Sequence, residues 1–203
     1  MAVEQVRDRR VPDRWVWYGG RLSVDFVNTR RDRFKGGREL LVHPGDLAEW
    51  FAAAEVTPEE VAVDEALLVQ ARELREAVDA GYRSAVAGEA FPGAAARTIN
   101  EWLARLAEHP PRLDVMDDGE AVFRTDTAPP DARQALCRIA ADAATLLGAA
   151  DTRARLRICD GHNCSGRFVD KSVGRRRRWC SMAICGNRAK AAQHRRAAAR
   201  SAH

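Results

Sequence analysis

Four cysteines near the C-terminus constrain this chain more than any other feature. Cys159 and Cys164 form one Cys-x4-Cys pair, Cys180 and Cys185 form a second, and fifteen residues separate the two pairs. Each pair is close enough in sequence for a tight turn to direct two thiolates at one point, and the spacer suits a short hairpin. Four convergent thiolates match the closed, tetrahedral shell of a structural Zn2+ ion, so the sequence predicts a zinc site.

Other roles are open to these cysteines. Two disulfides would also use four cysteines, but the charged first ten residues are followed by no apolar segment, so no secretory signal is expected. We therefore predict a cytoplasmic location, where stable disulfides are rare, and no membrane association, because no apolar run reaches the length of a span. His162 is an alternative ligand, and the apolar pattern around Cys137 predicts a buried core residue.

The segment from Trp179 to Arg188 is the most distinctive stretch of the chain and ends in Cys185-Gly186-Asn187-Arg188. Together with the spacing of the first cysteine pair and the arginine-rich approach to Trp179, it resembles the CGNR zinc-finger family of bacterial proteins over about residues 156–198. The resemblance implies a zinc-binding module that contacts nucleic acid, usually at the C-terminus of a transcription regulator.

Charge is distributed unevenly along the chain. Residues 153–203 contain fourteen Lys or Arg and only two Asp or Glu, a net charge of +12, whereas the whole chain carries +4. Residues 1–152 therefore carry a net charge of −8. An acidic body joined to a basic end indicates that the basic end meets a polyanion.

The basic residues of this end form two groups. The run Arg175–Arg178 lies in the spacer before Trp179, and a helix is predicted beyond Cys185 with Asn187 as a candidate cap. Arginine pairs with phosphates and guanine edges, and Trp179 either stacks on a base or packs over the zinc site. A solvated charged face is the alternative for the basic residues. The predicted nucleic-acid-binding residues are Arg175, Arg176, Arg177, Arg178, Trp179, Asn187, Arg188, Lys190, Arg195 and Arg196.

Residues 1–152 are expected to form a mostly helical domain. Apolar residues at helical spacing predict helices at about 47–54, 67–86, 94–108 and 132–148. Thr57-Pro58-Glu59-Glu60 has the composition of a helix start near Pro58. The segments 113–116 and 121–124 flank an Asp-Gly turn and predict a β-hairpin, and the segment Leu22–Thr29 fits either a helix or a strand.

The segment Leu22–Thr29, followed by Leu40-Leu41 and by Pro44 to Leu47, resembles the ABATE domain over about residues 18–147. The resemblance implies a ligand-binding or stress-sensing part of a regulator, with a small-molecule effector that is not identified. On this interpretation Asp25, Asn28 and Arg30 supply polar groups to a pocket. The alternative is that Asp25 and Asn28 cap a helix or satisfy buried backbone groups.

These observations predict the fold class α+β: a mostly helical domain with a small hairpin (1–152), then a zinc-ribbon-like finger with a basic helix (153–203). Four cysteines leave no coordination position for water, and no nucleophile elbow, phosphate loop or metalloprotease motif occurs, so an enzyme is not expected.

We therefore expect a bacterial DNA-binding transcription regulator that takes Zn2+ as its cofactor. RNA is the alternative nucleic acid, and a protein–protein adaptor whose basic module meets an acidic partner is the alternative class. A homodimer formed through the N-terminal domain is a further expectation, because a single small module buries little nucleic-acid surface.

Overall fold

A computed structural model of the chain describes residues 14–57, 61–108, 112–124 and 131–201, with side chains omitted at 124 and 196–201. The helices are α1 (Leu22–Val27), α2 (Pro44–Ala53), α3 (Glu65–Ala87), α4 (Gly93–Leu106), α5 (Ala132–Gly148), α6 (Ala150–Arg153) and α7 (Asn187–Ser201). The strands are β1 (Arg30–Arg31), β2 (Arg38–Glu39), β3 (Arg112–Val115), β4 (Ala121–Arg124), β5 (Leu156–Ile158) and β6 (Arg167–Val169). They form three two-stranded antiparallel sheets, and the predicted class, mixed α+β and mostly helical, is confirmed. None of the described helices is both long and apolar enough to cross a membrane.

The long helices begin and end at recognisable capping residues. The Asp64 carboxylate accepts a hydrogen bond from the Leu67 N–H at 2.7 Å at the start of α3, and Gly88 ends that helix with φ of +71°. Asp131 accepts from the Gln134 N–H at 2.8 Å at the start of α5. The helix start expected near Pro58 falls on residues 58–60, which lie outside the described residues. Residues 61–64 are not helical, because the cap is at Asp64.

The tertiary structure decides the conformation of the segment that the sequence left open. Residues 22–27 form the helix α1, which packs against α3 and α5. Val24, Phe26 and Val27 are each fully buried. A helix buried on nearly all sides lacks an amphipathic period, so its pattern resembles that of a strand.

The predicted hairpin is confirmed as β3 and β4. Leu113 pairs with Phe123 across it, and Gly119 in the turn has φ of +82°, a conformation that glycine adopts without strain. Leu113 and Phe123 are each 65% exposed, so this hairpin contributes little to the core.

One hydrophobic core joins the helical part of the chain to the cysteine-bearing part. Trp50, Phe26 and Leu136 are fully buried in this core, and Leu156 of β5 and Val169 of β6 belong to the same cluster. Strands β5 and β6 thus complete the core of the helical domain on one side, and the turn between them carries Cys159 and Cys164. The cysteine-bearing hairpin is therefore fixed against the helices by apolar packing.

Candidate metal centre and basic surface

The four cysteines predicted as ligands converge on one point. The sulfur atoms of Cys159, Cys164, Cys180 and Cys185 all lie within 4.8 Å of one another. The Sγ–Sγ distance is 3.7 Å between Cys164 and Cys180 and also between Cys180 and Cys185. Metal–sulfur bonds of about 2.3 Å in a tetrahedron place the sulfurs about 3.8 Å apart, so the cluster has the dimensions of a four-cysteine metal centre.

The first cysteine pair lies in the turn between β5 and β6. Cys159 directly follows β5, and the Cys164 N–H donates to the Gly161 carbonyl at 3.0 Å, which closes the turn. The Gly161 N–H points at Cys159 Sγ and the Gly166 N–H points at Cys164 Sγ, each at 3.4 Å. Backbone donors directed at sulfur favour thiolates, because a hydrogen bond to the charged form stabilises it.

The second pair lies at the start of the C-terminal helix. Cys180 is held by its N–H, which donates to Cys159 Sγ at 3.3 Å. A π-helical turn, Met182–Gly186, then carries Cys185 round to the cluster, and the Ser181 hydroxyl caps it by accepting from the Ile184 N–H at 3.3 Å. Gly186 leaves room for the Met182 side chain, because a Cβ there would lie 2.4 Å from the Met182 sulfur and would displace it.

The cysteines of the cluster have pKa values that are shifted in opposite directions. Hydrogen bonds with Cys164 and Cys180 lower the pKa of Cys159 to about 2, and hydrogen bonding to Cys159 and Cys164 raises the pKa of Cys180. Burial, followed by hydrogen bonding to Cys164, raises the pKa of Cys185 to about 12. A divalent cation at the centre favours the thiolate at every ligand, because its charge opposes both burial and the repulsion between thiolates.

The two other candidate residues lie apart from this cluster. His162 is exposed in the turn between the first two cysteines, and among the described residues the metal-binding group consists of the four cysteines alone. Cys137 is fully buried in the core as a free thiol, as its apolar surroundings in sequence predicted.

The arginine run divides into two pairs with different surroundings. Arg177 Nε donates to the Trp179 carbonyl at 2.9 Å, and its guanidinium lies 4.6 Å from the centre of the Phe168 ring. Arg178 pairs with Asp160 at 2.9 Å and covers Trp179. Arg175 and Arg176 are exposed, and no side-chain hydrogen bond or ion pair engages their guanidinium groups within the described parts of the chain.

A buried carboxylate that sequence reasoning missed shapes this loop. Asp170 is fully buried and accepts hydrogen bonds from the Ser172 N–H at 2.9 Å, the Ser172 hydroxyl at 2.6 Å and the Arg177 N–H at 2.9 Å. Asp170 lies two residues before Ser172, which is the spacing of an Asx turn, and this local pattern could have indicated the role of Asp170 from the sequence. Asp170 thereby holds the arginine run at the rim of the metal centre.

Trp179 packs beside the cysteines. Trp179 is half-buried and packs with Phe168, which is fully buried, in a small cluster around Cys159, Cys180 and Cys185. This is the packing role that the sequence left open beside base stacking.

The residues predicted on the basic helix lie along α7. Arg188, Lys190 and Arg195 are exposed on the helix, and the side chain of Arg196 lies outside the described residues. Asn187 is also exposed, but its amide donates back to the Ala183 carbonyl at 3.1 Å and Ser181 is the capping residue here.

Asp25 and Asn28 both engage backbone groups. Asp25 accepts from the Gly19 N–H at 2.7 Å, and burial raises the pKa of this carboxyl to about 7 against the opposing effect of that hydrogen bond. Asn28 forms two hydrogen bonds of 2.9 Å with the backbone of Arg167, one as donor and one as acceptor. Its side-chain amide therefore pairs with β6 as the backbone of a neighbouring strand would. Asn28 and Arg30 also border a small cleft beside Cys164.

Buried polar contacts that sequence reasoning did not identify join the cysteine-bearing part to α3. Asp79 and Arg167 pair at 2.8 Å, and their side chains are 3% and 5% exposed, so both charges are removed from water. The Tyr82 hydroxyl lies 2.6 Å from the Phe168 carbonyl and accepts from the Arg157 N–H at 3.0 Å. The available signal in the sequence was that Asp79 and Tyr82 continue the apolar stripe of α3, which predicts that their polar groups are buried.

The fold and the site together define a helical domain that carries a C-terminal cysteine finger. The family model of ABATE, described as "Putative stress-induced transcription regulator", matches residues 20–150, and the model of the CGNR zinc finger matches residues 155–198. The chain therefore belongs to the ABATE family and ends in a CGNR zinc finger, as the two resemblances in the sequence predicted. No curated protein matches the chain.

Proposed function

We propose that this protein is a DNA-binding transcription regulator in which a zinc finger presents a basic surface to the phosphate backbone. The observation that carries the proposal is the exposed pair Arg175 and Arg176, which has no side-chain partner among the described residues and lies in the loop leading to Cys180, with the basic helix α7 following the cysteines. The family description points to the same class of protein. A region with a net charge of +12 gains affinity for a polyanion by releasing its counterions.

Zinc fits the cysteine cluster better than the hard cations Mg2+ and Ca2+. Thiolate ligands in a tetrahedron favour Zn2+ over the oxygen-seeking Mg2+ and Ca2+. When bound, the ion supplies cross-linking and charge rather than an open position for a reaction, so we propose a structural and not a catalytic role. The chain supplies the rest: Asp170 orients the loop of Arg175 and Arg176, and Ser181 starts the turn that leads into α7.

Two alternatives use the same residues. Single-stranded RNA would also pair with arginines and stack on Trp179, whose ring is half-buried. An adaptor role would bring the basic surface to an acidic protein. Duplex DNA is preferred because Arg188, Lys190 and Arg195 lie on one helix, and a helix of this kind fits along a major groove.

The first test is a salt titration of zinc-loaded protein on labelled duplex DNA, compared with single-stranded RNA. We expect tight duplex binding with a steep negative slope of log affinity against log salt concentration. The double substitution Arg175→Ala and Arg176→Ala is expected to weaken binding about tenfold or more and to reduce that slope by about 1.8, because each phosphate contact contributes about 0.9. The protein-to-DNA ratio at saturation tests the homodimer that we also propose.

Arg133→Ala is the matched control, because Arg133 is an exposed arginine on α5. Its substitution should leave both the affinity and the slope unchanged. A preference for RNA would transfer the function to RNA binding. If folded, zinc-loaded protein binds neither nucleic acid, the regulator proposal is wrong.

We also propose that the helical domain binds a small amphipathic effector. A cavity of about 630 Å3 lies between α3, α4 and α5, within the range of about 300 to 1,000 Å3 that is typical of ligand pockets. Apolar side chains that include Phe91, Ile99 and Leu147 line it, and Arg153 stands at its edge, held by the Leu147 carbonyl at 2.8 Å. Glu89 also lines the cavity, so the matching ligand is apolar with an anionic group that contacts Arg153 rather than Glu89.

The probe for this cavity is 8-anilinonaphthalene-1-sulfonate, which combines an apolar ring system with an anionic group. We expect saturable fluorescence enhancement in the wild-type protein and at least a tenfold loss of affinity in Ala96→Trp, because Ala96 lines the cavity and an indole would fill it. Ala104→Trp, at an exposed position on the same helix, is the control. Equal binding by both variants would contradict this location.

A further inference from the structure

A second basic surface lies where the helical domain meets the finger. A small cleft of about 170 Å3 is bordered by Arg30 and Arg31 of β1, by the turn residues 163–166 and by Arg188 of α7. Cys180 and Cys185 border it as well, so the cleft adjoins the metal centre. The cleft is well below the about 300 Å3 of the smallest typical drug-sized pockets and part of it adjoins the metal centre, so it suits a group no larger than a single phosphate.

The charges around this cleft are mostly unneutralised. Arg30 forms an ion pair with Glu76 at 3.5 Å, and the Asp32 carboxylate forms an ion pair with Arg38 at 3.2 Å. Within the described parts of the chain, no carboxylate pairs with Arg31 or Arg188. Two arginines from different parts of the chain thus face one concave, polar space.

Their relative position is fixed by the fold. Asn28, two residues before β1, is hydrogen-bonded in both directions to the backbone of Arg167. The Arg33 N–H donates to the Ser165 hydroxyl at 3.1 Å, which ties the segment after β1 to the turn that carries Cys164. Because β1 is anchored on both sides, Arg31 keeps its place beside the finger without any ligand, so binding would need little ordering.

We propose that Arg31 and Arg188 together bind one backbone phosphate of the nucleic acid, so that the helical domain is itself part of the nucleic-acid interface. This inference rests on the proposed function of the finger. Each guanidinium can donate two parallel hydrogen bonds to phosphate oxygens, so two arginines that line one cleft can share a single phosphate diester. The helical domain then sets where the finger sits along the backbone as well as binding an effector.

A competing role for Arg31 is purely structural. Four thiolates around a divalent cation carry a net charge of about −2, and a nearby arginine would offset part of it. This role predicts that loss of Arg31 weakens zinc retention, whereas phosphate binding predicts that zinc retention is unaffected and nucleic-acid affinity falls.

The experiment is a double-mutant cycle on zinc-loaded full-length protein, with Arg31→Ala, Arg188→Ala and both together, titrated on duplex DNA over a range of salt concentrations. We expect each single substitution to weaken binding about fivefold to tenfold and to reduce the salt slope by about 0.9. The double variant should be weaker than either single by much less than the product of the two effects, because both side chains hold the same phosphate.

Zinc content and thermal unfolding of the same variants separate the two roles. Arg31→Ala should retain one zinc per chain, Arg31→Lys should recover part of the affinity, and Arg133→Ala should behave as wild type. If wild-type protein binds DNA and Arg31→Ala binds equally well, or if Arg31→Ala loses zinc, this inference is wrong while the finger's function stands. If wild-type protein does not bind at all, the proposed function itself fails.

Discussion

Cys180→Ser is expected to lower the affinity for zinc by more than about a hundredfold and to unfold the part of the finger that follows β6, because β5 and β6 are held by the core of the helical domain. Loss of a hydrogen-bonding partner around a metal ligand already costs about 10-fold to 100-fold in affinity, and Cys180 is a ligand that is 2% exposed at the centre of the cluster. Apparent zinc-binding energies in small fingers are about 10–16 kcal/mol, and this binding energy is also folding energy. Zinc content by mass spectrometry and hydrogen exchange along residues 156–195 measure the two effects.

Cys137→Ala is the matched control, because Cys137 is a buried cysteine of α5 remote in sequence from the cluster. It should retain one zinc per chain and normal exchange protection in the finger, although the lost sulfur costs some core packing. A chelator should reproduce the effect of Cys180→Ser in the wild-type protein. Full zinc retention by Cys180→Ser would show that the cluster is not the metal site.

Asp79→Ala is expected to lower the free energy of unfolding of the zinc-loaded protein by about 3–5 kcal/mol. Asp79 is 2% exposed, and its removal leaves the buried guanidinium of Arg167 without the carboxylate that it contacts at 2.8 Å. Breaking a buried ion pair by removing one partner costs this much, because the remaining charge is neither hydrated nor paired. Urea denaturation followed by circular dichroism gives the measurement.

Arg83→Ala provides the comparison for this prediction, since Arg83 contacts the same carboxylate at 3.2 Å but its side chain is 59% exposed. Its loss should cost less than about 1 kcal/mol, as for other solvated ion pairs. Equal stabilities of the Asp79→Ala and Arg83→Ala variants would mean that the contact between Asp79 and Arg167 does not hold the finger to α3.

Much of the fold was predictable because its signals are local. Apolar residues at helical spacing marked α3, α4 and α5, and the Asp-Gly turn marked the β3–β4 hairpin. The cysteine spacing marked the metal centre, because ligands so close in sequence need only one turn to converge. Each of these signals involves residues of one element or one turn, so it can be recognised from neighbouring positions in the sequence.

The roles of individual polar residues were less accessible. The four arginines of the run cannot be distinguished in the sequence, yet Arg177 packs on Phe168 while Arg176 faces solvent. Asp25 is drawn to the Gly19 N–H and Asn28 to the backbone of Arg167, and neither partner can be named from the residues themselves. Side chains of one type diverge in role when the surrounding fold buries some of them and leaves others in water.

The residues alone predict a mostly helical domain followed by a four-cysteine module with strongly basic surroundings. How the two parts meet depends on long-range contacts that no local pattern indicates. Arg167 pairs with Asp79 across 88 positions and with Asn28 across 139 positions of the chain, and Arg31 and Arg188 line one cleft. The physical reason is that helix caps and ligand spacings depend on neighbours within a turn, whereas a buried charge takes whichever partner the shared core places beside it.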